Sequence, residues 1–121
     1  MSQRILVVED TYDNRQILRD LLTSAGFEIL EAVDGEHGVQ MAAQHRPDLI
    51  LMDIQLPVLD GFAAIGKIKD DPKLKDIPVI GISSYANSDD ADRALRAGFS
   101  AYVTKPFSPR ALLARVRELL S

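Results

Sequence analysis

The sequence predicts an α/β fold: one five-stranded parallel sheet, doubly wound, with helices on both faces. Two observations carry that expectation. Short runs rich in Val, Ile and Leu alternate strictly with helix-period patterns from end to end. Polar and acidic residues then gather where several of those runs stop. The length of 121 residues suits one domain of ordinary size, so residues 1–121 are read as a single unit.

The first strand is "RILVVE", closing at Glu9 and Asp10. Ile17, Leu18, Leu21, Leu22 and Ala25 recur at helical spacing, and Gly26 supplies a left-handed cap. "FEILEA" is the second strand, and "GEHGVQMAAQH" a weaker helix that stops before Pro47. Leu49 to Met52 form a third, wholly apolar strand that ends at Asp53. Asp60 caps a third helix carrying Phe62, Ile65 and Ile68, closed by "KDDPKLKD". "IPVIGIS" is the fourth strand, and Asn87 or Ser88 starts a fourth helix. Its first-turn acids Asp89 and Asp90 suit the helix dipole, and Gly98 ends it. "SAYVT" is the fifth strand, and the last helix has Ser108 at its cap and Pro109 at its first position.

Bulk properties exclude several classes. A 46% hydrophobic fraction beside 26% charged residues is that of a compact chain and not a disordered one. No apolar run approaches the roughly 18 residues of a membrane span, and "MSQRILVVED" lacks a signal peptide's layout, so a cytoplasmic protein without a membrane partner is expected. With no cysteine there is no disulfide or thiolate chemistry. A net charge of −4 disfavours direct binding to nucleic acid.

In open parallel sheets ligands bind at the carboxyl ends of the strands, in the crevice where strand order reverses. Glu9 and Asp10 follow the first strand, Asp53 ends the third, Ser83 and Ser84 follow the fourth, and Thr104, Lys105 and Pro106 the fifth. A carboxylate buried at Asp53 costs several kcal/mol, by rough magnitude, unless it is paired. Three converging carboxylates repel one another, at about 4 kcal/mol per pair 4 Å apart near a protein surface. Oxygen-only ligands suit a hard cation, Mg²⁺ in particular. A cation, the Lys105 ammonium and the Ser83 hydroxyl around one carboxylate make a phosphoryl-accepting site, with Asp53 as the acceptor.

On "VVED", "DLILMDIQLPVLDG", "PVIGISSYA" and "GFSAYVTKPF", in that order, the chain resembles the receiver domains of two-component response regulators, of the single-domain, chemotaxis-regulator-like type with a flavodoxin-like fold. The resemblance implies that Glu9, Asp10 and Asp53 hold magnesium together with the backbone carbonyl of Gln55. It implies phosphorylation of Asp53, with Ser83 and Lys105 meeting the new phosphoryl group. Tyr102 matches the family's switch aromatic, and Lys105–Pro106 its cis peptide. Gln55 and Tyr85 occupy positions that tune hydrolysis in the family. The implied donor is a sensor histidine kinase or phosphotransfer protein, and the receiver promotes its own phosphorylation and dephosphorylation without being an enzyme on other substrates. No output segment is visible, so the signal is expected to pass through protein contacts to a downstream target. The last two helices and fifth strand, with Arg93, Arg96, Arg110, Arg115 and Arg117, are the face expected to meet a partner or a second copy as a homodimer.

Plainer readings stand beside these. Glu9 and Asp10 could cap the first helix, Lys105 could be a surface lysine, and Tyr102 a half-buried strand aromatic. His37 and His45 read as solvated residues without ligand spacing. A haloacid-dehalogenase-like phosphatase needs a second aspartate where Gln55 stands, and a flavin or nucleotide fold needs a Gly- or Ser/Thr-rich turn where the chain reads "EDTYDN".

Overall fold

The computed structural model describes residues 2–84 and 88–121. The expected cap at Asn87 and the position of Tyr85 lie outside the described residues. The order of elements is β1 (Arg4–Val8), α1 (Tyr12–Ser24), β2 (Glu28–Ala32), α2 (Gly35–His45), β3 (Leu49–Asp53), α3 (Gly61–Asp70), β4 (Val79–Ser83), α4 (Ser88–Ala97), β5 (Ala101–Thr104) and α5 (Pro109–Leu120). The strands form one parallel sheet in the order β2-β1-β3-β4-β5, so strand order reverses between β1 and β3.

Alternation along each central strand divides the core in two. Ile5 and Val7 of β1, Leu49 and Leu51 of β3, and Ile80 and Ile82 of β4 pack with Leu18 and Leu22 of α1 and Leu112 and Val116 of α5. Leu6, Val8, Ile50, Met52 and Val79 turn to the other face, against Ala42 of α2, Ala64, Ile65 and Ile68 of α3, and Ala94 of α4. Both faces of the sheet are thus covered, which is why β3 and β4 are buried along their full length.

The turns follow from particular residues. Gly26, at φ 97°, ends α1: its amide donates to Thr23 O at 3.0 Å, and that of Phe27 to Leu22 O at 3.1 Å. Asp34, Asp60 and Ser108 accept amides of the first turns of α2, α3 and α5. Two left-handed residues have no glycine to signal them. Arg46, at φ 44°, closes α2 through its amide to Ala42 O at 2.8 Å, ahead of the Pro47 expected to stop that helix. Val58, at φ 67°, is 77% exposed in the loop after β3. His37 is half-buried and not simply solvated, because its ring Nδ1 accepts the Val33 amide at 3.2 Å and folds the β2–α2 turn.

Candidate functional site

The β1–β3 crevice collects the charged residues because three strands end there together. β3 delivers Asp53 as its last residue, only 5% exposed. β1 delivers Glu9, 2% exposed, whose amide extends the sheet by donating to Ala32 O at 3.1 Å. Asp10 follows in the loop and is exposed. Carboxylate oxygens of Glu9, Asp10 and Asp53 all lie within 4.8 Å of one another. Neither acid caps α1 as the plainer reading had it, since the cap position is Thr11. Glu9 Oε2 instead accepts the Thr11 amide at 3.1 Å and tightens the loop.

Lys105 reaches into this cluster from the far side of the sheet. Its Nζ donates to Asp53 Oδ2 at 2.8 Å and to Glu9 Oε1 at 3.1 Å, and its side chain is 25% exposed, unlike a free surface lysine. The amide of Lys105 donates to Ser83 O at 2.7 Å and so ties its backbone to the end of β4, and the Lys105–Pro106 peptide is cis. Burial pushes the ammonium's pKa down. The hydrogen bonds and charges of Asp53 and Glu9 outweigh it and leave the pKa raised. Asp10 is raised as well, first by its hydrogen bond with Glu9, then by partial burial and the Glu9 charge, with Lys105 pulling the other way.

Asp53 is held at both oxygens, because the Gln55 amide donates to Oδ1 at 2.8 Å. Gln55 has a second contact that the sequence did not announce: its side-chain Oε1 accepts the Ser84 amide at 3.2 Å, tying the loop after β3 to the end of β4. Ser83 pairs with Thr104 in the sheet register and is 1% exposed. Tyr102 is half-buried and packs against the core on the α2–α3–α4 face. No buried side-chain polar atom among the described residues lacks a partner.

The donor set fits a hard divalent cation: oxygen ligands only, clustered, with the third side open to solvent at Asp10. Beside it, between α1 and α5, a cleft of about 450 Å³ is walled by Ile17, Leu18, Leu51, Ile82 and Phe107. Ile17, expected on the buried stripe of α1, is 56% exposed at its rim.

Comparison with known proteins agrees with this arrangement. Residues 5–117 match the response regulator receiver domain. The polar-differentiation response regulator DivK of Brucella anthropi is 37% identical over 99% of this chain and 98% of its own length. The response regulator PleD of Caulobacter vibrioides is 42% identical over 98% of this chain, which spans 26% of that longer protein. Among solved structures, the receiver domain of the sensor histidine kinase PA1611 from Pseudomonas aeruginosa, with a magnesium ion in its active-site cleft, superposes with a TM-score of 0.92 at 33% identity, covering 99% of this chain and 98% of that one. The chemotaxis response regulator CheY4 of Vibrio cholerae gives a TM-score of 0.93 at 26% identity, over 99% of this chain and all of that one. No described helix is long and apolar enough to cross a membrane. With sheet order, acidic crevice and relatives all in agreement over nearly the whole chain, this protein belongs to the receiver domains of two-component response regulators.

Proposed function

We propose that residues 1–121 work as one receiver domain that takes a phosphoryl group onto Asp53 in the presence of magnesium. The observation that carries this reading is the meeting of three acids and one ammonium: Glu9, Asp10 and Asp53 oxygens within 4.8 Å of each other, and Lys105 Nζ 2.8 Å from Asp53. Glu9, Asp10, Asp53 and the Gln55 carbonyl would hold the cation, which supplies charge neutralisation for the incoming phosphoryl oxygens.

In the transfer, an Asp53 carboxylate oxygen forms the new O–P bond while the P–N bond of a phosphohistidine donor breaks, its electron pair staying on the imidazole nitrogen. Lys105 already faces Asp53 and would follow the charge onto the phosphoryl group, weakening its bond to the carboxylate. Ser83, at the end of the neighbouring strand, would donate its hydroxyl to a phosphoryl oxygen, and Tyr102, two strand positions before Thr104, would repack in response. The modified carboxylate gains charge and biases the α4–β5–α5 face toward a target protein. Partners on this reading are a sensor histidine kinase or phosphotransfer protein and a downstream protein, with a second copy on the α4–β5–α5 face as a further arrangement, all in the cytoplasm. The receiver assists its own phosphorylation and hydrolysis and acts on no other substrate.

Intact mass after incubation with acetyl phosphate and magnesium tests the reading. One phosphoryl group should appear on wild type and none on Asp53→Asn. If neither acetyl phosphate nor phosphotransfer from a set of phosphorylated histidine kinases modifies folded wild type, Asp53 is not the acceptor proposed here.

A further inference from the structure

We infer that Glu31, on β2, keeps the cation site open by holding Arg15 off the carboxylates of Glu9 and Asp10. The inference rests on the magnesium reading above. Arg15 projects from α1 with its side chain 14% exposed, and its Nη1 donates to the main-chain carbonyls of both acids, at 3.0 Å for Glu9 and 3.3 Å for Asp10. Glu9 and Asp10 each carry a carboxylate as well as the carbonyl that Arg15 takes, and hydrogen bonds to ionised oxygens are roughly twice as strong as neutral ones. The guanidinium nonetheless pairs elsewhere: Nε lies 3.6 Å from Glu31 Oε1.

Glu31 is placed to hold it. It is opposite Val7 in the β1–β2 register, one residue before the strand end, and its Oε2 is fixed by Arg19 Nη1 at 2.6 Å. The ring of Tyr12 covers one face of the Arg15 guanidinium, 5.7 Å from its centroid. With one edge on Glu31 and one face on Tyr12, Arg15 can anchor the backbone of Glu9 and Asp10 while their carboxylates stay available to a cation. Arg15 is therefore a positioning residue for the loop, and Glu31 sets where its charge rests.

Removing the Glu31 charge frees Arg15 to pair with Glu9 and Asp10. A tethered guanidinium then competes with the divalent ion at high effective concentration, and the affinity for magnesium should fall by roughly tenfold. Removing Arg15 as well should recover part of that loss, the part not owed to its bonds with the Glu9 and Asp10 carbonyls. This sign of coupling separates a gate from plain scaffolding, in which two lost contacts would weaken binding at least as much as one.

The test is calorimetric titration of magnesium into unphosphorylated wild type, Glu31→Gln and Glu31→Gln/Arg15→Gln, with circular dichroism to show that all three are folded. Weakened binding in the single variant and partial recovery in the double variant are expected. Unchanged binding in Glu31→Gln, or a double variant no better than the single, overturns the gate while leaving the magnesium reading intact. Wild type that binds no magnesium overturns both.

Discussion

The guanidinium of Arg93 lies 4.1 Å from the centroid of the Phe62 ring, joining α4 to α3. Phe62 in turn meets Phe99 edge-on, with centroids 6.1 Å apart and planes at 87°. Arg93 is exposed, so its cation–π contact is worth about 0.5–1 kcal/mol. Arg93→Ala should lower stability in urea titration by that amount. Phe62→Leu should cost more, since it loses both the cation contact and the aromatic pair, itself worth about 0.5–1.5 kcal/mol.

Lys105 neutralises two nearly buried carboxylates, so its removal acts on stability before it acts on chemistry. Lys105→Ala should destabilise the metal-free protein by about 1–3 kcal/mol at neutral pH, the cost of leaving buried charges unpaired. Magnesium should recover much of that loss. The raised pKa of Lys105 gives the sign in wild type: its contribution is complete below the ordinary 10.5 and disappears only as pH climbs through the higher folded value. Thermal unfolding followed from neutral to strongly alkaline pH checks this.

Removing Asp10 has the opposite effect on stability from removing Lys105, although its pH dependence has the same sign at lower pH. Its carboxyl is held above the ordinary 3.8, so its contribution to stability is complete below that value and is lost as pH rises through the folded value. Metal-free Asp10→Asn should therefore melt higher than wild type at neutral pH, by a few degrees, and should gain less from added magnesium. Magnesium binding to wild type should weaken as pH falls through the same range, because the cation must displace the proton on Asp10. Calorimetric titrations at several pH values give both signs.

Two glycines of α3 separate packing constraint from helix propensity. A Cβ on Gly61 would stand 2.6 Å from Ile54 Cα and 3.1 Å from Asp53 O, whereas one on Gly66 would meet nothing within 4 Å. Gly61→Ala should cost about 1–3 kcal/mol through overpacking. It should also slow phosphorylation, since the segment it displaces carries Asp53. Gly66→Ala should instead gain about 0.5–1 kcal/mol from helix propensity. Denaturant midpoints of the two variants, with acetyl phosphate labelling of Gly61→Ala, decide the matter.

The sequence was most legible where local chemistry and tertiary structure agree. Asp60, Ser108, Gly26 and Gly98 are short-range signals, and the structure uses them at the helix ends as expected. Glu9, Asp53 and Lys105 could be brought together on paper because parallel strands place their carboxyl ends on one side. Arg46 and Val58 could not be foreseen in left-handed conformations, since neither residue type favours them and only the surrounding packing sets them there. Arg15 and Glu31 were hidden for another reason. They lie on different elements, and nothing in their spacing distinguishes a guanidinium on backbone carbonyls from one in water. The exposure of Ile17 follows from the cleft beneath it, which periodicity cannot reveal.

The ion pairs of Lys105 join residues 52 and 96 positions apart in the chain. During synthesis both buried acids leave the ribosome long before the ammonium that neutralises them. Until β5 docks beside β4, the crevice holds repelling carboxylates without the ammonium that pairs with Glu9 and Asp53, and the last strand to arrive is also the one that completes the site. Competence for signalling is in this way tied to completion of folding: a chain stalled with its final quarter unfolded has an Asp53 but lacks the lysine that faces it.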